Sequence, residues 1–311
     1  MYLKILIFLF LLLYQNVTFS KANETNNFNQ KYLSNYFSAL VSYDNQNNEK
    51  ALKFFNSSKY LLNKHHNFLK EYVFSLVSNG QVTKAIKQIK LHKNKNNSNF
   101  FEAQLLLILD AIYKKNFNNA SKLLYDINIY KETSAFESII YQTLQSYNFL
   151  FLNKEIEKIN QNFGQLSLIT SAFQNCYLNS DLTESHFLNL INSQDAEYSR
   201  YLFFYLMNLV ENKDYDSARQ ISSTIDLLNN SLLVSQAKKW IEKSNFEKFN
   251  EYFSCKKETD VLSEFFFLIS NLYAAEEEYE KSNFYLNISN YLNPKFYFNL
   301  SLIAENYQSN N

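Results

Sequence analysis

The chain has 311 residues, of which 46% are hydrophobic, and its 30 basic and 30 acidic side chains give a formal net charge of zero. Such a chain has no overall field to attract nucleic acid, so we predict no nucleic-acid partner. Only two glycines and one proline are present, which excludes a glycine-rich phosphate loop and disfavours turn-rich β and α/β folds. Helix hairpins need little special turn chemistry, so the composition favours an all-α protein.

The first segment is typical of a secretory signal peptide. Lys4 precedes an apolar run from Ile5 to Tyr14, which as a helix would span about 15 Å, half of a bilayer core. We therefore predict a signal peptide over residues 1–22, export to the periplasm, and a polar tether over residues 23–31. A membrane anchor is the alternative if the segment stays uncleaved. The segment contains no cysteine, so we expect no lipid anchor.

Beyond the tether, apolar residues recur with helical spacing, interrupted by short polar turns. The first of these turns is Asp44–Asn48, and the second contains Gly80. A small residue follows each turn, and Ala51, Ala85 and Ala120 succeed one another at intervals of about 34 residues. A helix-turn-helix unit of this length cannot bury its apolar face alone, so the pattern predicts a stack of such units.

The stretch from Tyr273 to Pro294 continues this pattern near the end of the chain. Its three consecutive glutamates, Glu276–Glu278, fall between two amphipathic segments, where negative charge suits the start of the following helix. We interpret them as a turn rather than a calcium site, because no Asp-, Asn- and Gly-containing calcium loop accompanies them. After Pro294 the pattern predicts an unpaired last helix over residues 297–309.

The residues of these units resemble the tetratricopeptide repeat family. The best match begins at Ser263, where large, small and aromatic residues follow the phrase of the family: Phe266, Ile269, Ser270, Tyr273, Ser282, Ser289 and Pro294. The better-fitting units are residues 32–65, 66–99, 101–134, 199–232 and 263–296, with degenerate helices between them. The resemblance implies a tetratricopeptide-like α-solenoid over residues 32–311, a right-handed superhelix of about eight antiparallel helix pairs.

In this family, fixed positions of each first helix line a concave groove. Carried over to this chain, they are Tyr36, Leu40, Tyr43, Lys70, Phe74, Leu105, Leu109, Ile112, Phe203, Met207, Phe267 and Asn271. The resemblance implies an apolar and aromatic groove for a protein or peptide partner, and we predict a non-catalytic scaffold or adaptor of the bacterial cell envelope. Packing of these positions against neighbouring repeats is the other interpretation. The alternative function is a helical accessory domain for peptidoglycan or polysaccharide metabolism.

The candidate catalytic residue is Glu184. Its phrase, TESHF, is similar to the E-S-x-F phrase around the catalytic glutamate of exported lytic transglycosylases. Because Glu184 falls in a predicted turn and the glycine-containing segments of those enzymes are absent, we interpret it as a helix-start glutamate. We predict no enzyme activity, no cofactor and no metal site. Cys176 and Cys255 are the only cysteines; we expect two separate thiols, with one long-range disulfide as the alternative.

Overall fold

A computed structural model describes residues 29–92, 98–127, 134–157, 162–192, 200–226 and 231–300. The prediction of an all-α protein is confirmed for these residues, which contain no strand. The α-helices are α1 (Gln30–Asp44), α2 (Asn48–Ser57), α3 (Phe68–Ser78), α4 (Val82–His92), α5 (Phe101–Tyr113), α6 (Phe117–Ile127), α7 (Ala135–Asn153), α8 (Gln165–Leu178), α9 (Thr183–Ile191), α10 (Tyr201–Glu211), α11 (Tyr215–Ser223), α12 (Leu232–Glu242), α13 (Glu247–Tyr252), α14 (Glu258–Ala275) and α15 (Tyr279–Leu292).

Both ends of the sequence-based prediction fall partly outside the described residues. This applies to the signal peptide over residues 1–22, to most of the tether, and to residues 301–309 of the predicted last helix. The first residues of that predicted helix, Tyr297–Asn299, form a single 3₁₀ turn. A second 3₁₀ turn, Lys59–Asn63, follows α2.

Seven of the connections between described helices begin with the same backbone geometry. One residue takes a positive φ; its N–H donates to the carbonyl three residues back, and the next N–H donates to the carbonyl five residues back. In the first connection, Gln46 N–H donates to Tyr43 O at 2.7 Å and Asn47 N–H donates to Ser42 O at 2.9 Å. The positive-φ residues are Gln46, Gly80, Lys115, Asn179, Lys213, Ser244 and Glu277. These are Schellman turns, and most recur at intervals of about 34 residues.

This turn explains how a chain so poor in glycine still builds helix hairpins. Among these seven turns, only the one at Gly80 has a glycine in the left-handed conformation. The other turns, apart from that at Asn179, each carry a cost of about 1 kcal/mol. The following residue offsets part of that cost by capping the next helix. The side-chain oxygens of Asn47, Asn116 and Asp214 each accept the N–H three residues further on, at 3.2 Å, and such caps contribute about 1 kcal/mol.

The helices pack in chain order, and the last hairpin then returns to the first half of the chain. Each helix from α1 to α11 contacts its successor, whereas α14 contacts α5 and α7, and α15 contacts α3 and α4. Aromatic pairs mark this return, with ring centroids 4.6 Å apart for Phe74 and Phe284 and 5.2 Å apart for Tyr113 and Tyr291. The arrangement is repeat-like, and its last hairpin covers part of the surface of the earlier helices.

Cys176 and Cys255 form a disulfide, with Cα atoms 5.7 Å apart. The expectation of two separate thiols was therefore wrong. Both residues are fully buried, and the loop between α13 and α14 folds onto α8, where the ring centroid of Phe253 lies 5.9 Å from that of Phe173. Their separation of 79 residues crosses several helices, so sequence spacing could not show that the two sulfurs meet.

Buried carboxyl groups lie beside this loop. Asp260 Oδ2 accepts the backbone N–H of Ser254 at 3.0 Å and lies 3.8 Å from Lys257 Nζ. Burial raises the pKa of Asp260 from 3.8 to about 6, although Lys257 opposes the shift. Burial also raises the pKa of Glu211, whose Oε2 has no hydrogen-bond partner among the described residues. Both groups therefore favour the protonated form more in the folded chain than when exposed to water.

We expect the fold to gain stability as the pH falls from 7.5 to 4.5. Because the folded-state pKa of Asp260 is raised, the folded chain binds more protons than the unfolded chain, and stability increases as the pH falls through about 6. Asp260 alone should contribute about 2 kcal/mol over this range. Asp260→Asn keeps an acceptor for Ser254 and should flatten the increase by that amount. Urea unfolding at both pH values measures it.

Asp216→Asn is the matched control, because the side chain of Asp216 is 99% exposed. This variant should retain the pH dependence of the wild-type protein. If the free energy of unfolding rises equally on acidification in the wild-type and Asp260→Asn proteins, Asp260 does not supply the effect.

Candidate functional site: a carboxylate cluster beside the predicted groove

The structure does not bring the twelve predicted groove residues into one open groove. Seven of them are buried: Tyr36, Tyr43, Leu105, Leu109, Ile112, Phe203 and Met207. Four are half-buried, namely Leu40, Phe74, Phe267 and Asn271, and only Lys70 is exposed. The buried residues form part of the core, which corrects the expectation that all twelve line an accessible surface. Partner binding by the others stays a prediction.

The return of α14 and α15 covers part of α3, the helix that carries Lys70 and Phe74. Phe74 stacks against Phe284 of α15, and Asn287 of α15 donates from Nδ2 to Ser78 O at 3.4 Å. Phe267 of α14 lies under the guanidinium group of Arg200, with 4.2 Å between Cζ and the ring centroid. The chain therefore uses its own last hairpin to cover helix faces that the repeat pattern predicts to be open.

Beside this hairpin, acidic side chains from five helices interact with one another. We call this group the carboxylate cluster: Asp44, Glu71, Glu102, Glu137 and Glu280. The four glutamates lie in the first turns of α3, α5, α7 and α15, where the helix dipole favours negative charge. Asp44 is the last residue of α1. The packing of the last hairpin against α3 and α5 brings these helix ends to one region.

Burial is the main cause of the raised pKa values in the cluster. It raises the pKa of Glu71, Glu102, Glu137 and Glu280, and the neighbouring carboxylates raise most of these further. Glu102, at 7% exposed, raises the pKa of both Glu71 and Glu137. Asp44 raises that of Glu71 and Glu280. Asp44, Glu71 and Glu102 thus make it harder for neighbouring carboxyl groups to ionise.

Two lysines partly compensate this negative charge. Lys70 and Lys281 lower the pKa of both Glu102 and Glu137. Lys281 Nζ also pairs with Glu278 Oε2 at 2.7 Å. Two cations face five carboxylates, so the region is electrostatically suited to a further positive charge. Lys70 connects the cluster to the predicted groove, of which it is the exposed member.

Sequence reasoning missed the cluster, although a signal for it was present. Glu71, Glu102 and Glu137 recur at intervals of 31 and 35 residues, each at the start of a first helix. The interpretation of Glu276–Glu278 as a turn is confirmed, since α14 ends at Ala275 and α15 begins at Tyr279. What the sequence could not show is that this turn belongs to a hairpin packed against α3, α5 and α7.

Glu184 lies in the first turn of α9, as its interpretation as a helix-start glutamate requires. Its side chain is exposed, and its Oε1 accepts the hydroxyl of Tyr205 at 2.7 Å. Glu184 therefore lies at the surface and not in the apolar cleft that a glycosidase acid requires. Among the described residues, no group of three or more His, Cys, Asp or Glu side chains is arranged to hold a metal ion.

Comparison with known proteins adds no identification. No family model, curated protein or solved structure matches the chain. The likeness to tetratricopeptide repeats therefore rests on the residues quoted above. In the part of the chain that the structure describes, none of the helices is both long and apolar enough to span a membrane.

Proposed function

We propose that the protein is an exported, non-catalytic scaffold of tetratricopeptide-like helix pairs that binds a positively charged segment of a partner protein. The carboxylate cluster carries this proposal. It gathers five acidic side chains against two lysines, and burial raises the pKa of its glutamates. A bound lysine or arginine would stabilise the ionised carboxylates that the fold itself leaves poorly compensated.

The cluster offers charge and apolar surface side by side. Glu71 and Glu137 are half-buried and Glu280 is exposed, so a partner can reach them. Phe74, one helical turn beyond Lys70 in α3, is also half-buried. A helix or extended segment with alternating cationic and apolar residues has the chemistry to contact both. In this proposal the partner contacts a mixed acidic and aromatic surface in place of a purely apolar groove.

The disulfide supports export. Disulfides persist in oxidising compartments such as the bacterial periplasm and are rare in the cytosol. Cys176 and Cys255 are the only cysteines of the chain, and they are bonded to each other. Together with the predicted signal peptide over residues 1–22, this favours the periplasm, with a membrane anchor as the alternative.

Peptide titration tests the proposed binding site. We expect a fluorescent lysine- and leucine-containing peptide to bind the purified protein, and its counterpart with glutamate for lysine not to bind. Glu71→Gln/Glu137→Gln/Glu280→Gln should weaken binding at least about tenfold, because charge-assisted contacts are worth roughly 1.5–3 kcal/mol. Fluorescence anisotropy at low and high salt measures the affinity, which should fall as salt rises.

The control carries the same number of neutralised acids elsewhere. Glu49→Gln/Asp216→Asn/Glu247→Gln removes three exposed carboxylates outside the cluster and should leave the affinity unchanged. If the two triple variants weaken peptide binding equally, the effect comes from net charge alone, and the proposed site is overturned. The alternative role in polysaccharide metabolism predicts that the protein sediments with purified cell wall. If the protein turns over labelled peptidoglycan and Glu184→Gln abolishes this turnover, the prediction of no enzyme activity is overturned.

A further inference from the structure

A small pocket between α2, α3 and α4 is lined by lysines without any acidic residue. Its volume is about 280 Å³, and Lys59, Lys84 and Lys87 lie on its wall. No Asp or Glu lines it, and none of these three lysines forms an ion pair within the described part of the chain. In a chain of zero net charge, three uncompensated cations around one concavity attract an anion.

Helix α4 carries lysines with and without a carboxylate partner. It carries no acidic residue in its first turn, although the start of a helix favours negative charge. Instead Lys84 and Lys87 follow one another on the face toward the pocket. Lys90, one turn further, pairs with Asp110 at 2.5 Å. The chain thus neutralises the third lysine of this row and leaves the two that line the pocket without a carboxylate.

The remaining lining residues offer neutral hydrogen-bond groups and an apolar floor. Tyr72 and Leu76 are buried at 3% and 1% exposed, and both line the pocket. Tyr72 donates its hydroxyl to Asn56 Oδ1 at 2.8 Å, which leaves the Asn56 amide hydrogens for other acceptors. Lys84 Nζ donates to Gln81 Oε1 at 2.8 Å, so the amide hydrogens of Gln81 are likewise left for other acceptors. Amides beside an aromatic ring are suited to the hydroxyls and apolar face of a sugar.

We propose that this pocket binds the phosphate group of a small phosphorylated sugar, independently of the partner site proposed above. A phosphate monoester carries between about −1.5 and −2 charge at neutral pH, which matches three lysines better than the single charge of a carboxylate. Lysine is a suitable phosphate ligand because its ammonium group acts as a compact point charge. The pocket volume lies just below the range for most ligand sites, about 300–1,000 Å³, which fits a monosaccharide rather than a nucleotide.

Isothermal titration of the full chain tests this inference, with glucose 6-phosphate as the probe. We expect glucose 6-phosphate to bind, inorganic phosphate to bind more weakly, and glucose not to bind. Lys84→Gln/Lys87→Gln should weaken binding of glucose 6-phosphate about tenfold or more, since two charge-assisted contacts are lost. Both lysines are exposed, so the melting temperature of the variant should stay near that of the wild-type protein.

The controls separate this pocket from general attraction of anions. Lys50→Gln/Lys122→Gln removes two exposed lysines elsewhere and should leave the affinity for glucose 6-phosphate unchanged. Equal weakening by both double variants, or absence of binding to wild-type protein, overturns the inference. Glucuronate that binds as tightly as glucose 6-phosphate overturns the choice of phosphate over carboxylate.

Discussion

Replacing Arg200 by alanine is expected to lower the free energy of unfolding by about 3–5 kcal/mol. Arg200 Nε donates to Glu264 Oε1 at 2.8 Å, and its Nη2 donates to Glu264 Oε2 at 2.6 Å. The side chain of Glu264 has no exposed surface. Removal of the guanidinium group would leave a carboxylate buried without its counter-charge, which is among the costlier changes in a protein interior.

The loss would extend beyond the ion pair. The same Nη2 donates to Asn299 Oδ1 at 2.6 Å, and the guanidinium carbon lies 4.2 Å from the ring centroid of Phe267 and 5.5 Å from that of Phe296. Arg200 therefore connects the start of α10 to α14 and to the 3₁₀ turn at the end of the described chain. Arg200→Lys should recover only part of the stability, because an ammonium group cannot make the same paired, planar contacts.

Urea unfolding of the wild-type protein and of the variants measures this effect. The only other arginine, Arg219, is the matched control: its partner Asp216 is 99% exposed and 3.4 Å away, so Arg219→Ala should cost less than about 1 kcal/mol. Arg200→Met/Glu264→Leu should be much more stable than Arg200→Ala, because apolar residues replace both charges. Equal costs for Arg200→Ala and Arg219→Ala would contradict the assignment.

The local structure of this protein was predictable from its sequence because it depends on neighbouring residues. Apolar spacing and polar turns predicted helices on both sides of Gly80 and of Glu276–Glu278, and the structure has them there. Five of the Schellman turns could not be identified, since residues such as Gln46, Lys115 and Lys213 rarely take a positive φ. The surrounding helices impose that conformation, so the local preference of the residue does not reveal it.

The long-range arrangement was not predictable in the same way. An apolar helix face has the same sequence pattern whether a partner, a neighbouring repeat or the last hairpin covers it. Phe203 and Phe267 occupy equivalent positions in the repeat pattern, yet Phe203 is fully buried and Phe267 is half-buried. The carboxylate cluster was missed for the same reason, because Glu71 and Glu280 come near each other only after the last hairpin has returned to α3.

Cys176→Ala/Cys255→Ala is expected to lower the free energy of unfolding by about 4.5 kcal/mol, the value that chain entropy predicts for a loop of this size. The bridge joins residues separated by 79 positions and so excludes many conformations of the unfolded chain. Both cysteines are fully buried and alanine adds no polar group to that site, although Cys176→Ala removes the acceptor of Asn208 Nδ2, which lies 3.5 Å from Cys176 Sγ.

Reduction provides the internal control for this variant. Wild-type protein that is unfolded, reduced and refolded should unfold in urea near the midpoint of the double variant, and reductant should not affect the double variant itself. The bridge fixes the loop before α14, which Phe253 also anchors through its ring contacts with Phe173 and Phe204. If oxidised wild-type protein and the double variant unfold at the same urea concentration, those aromatic contacts already order the loop. The disulfide would then contribute little stability, and its formation would depend only on the redox state of the compartment.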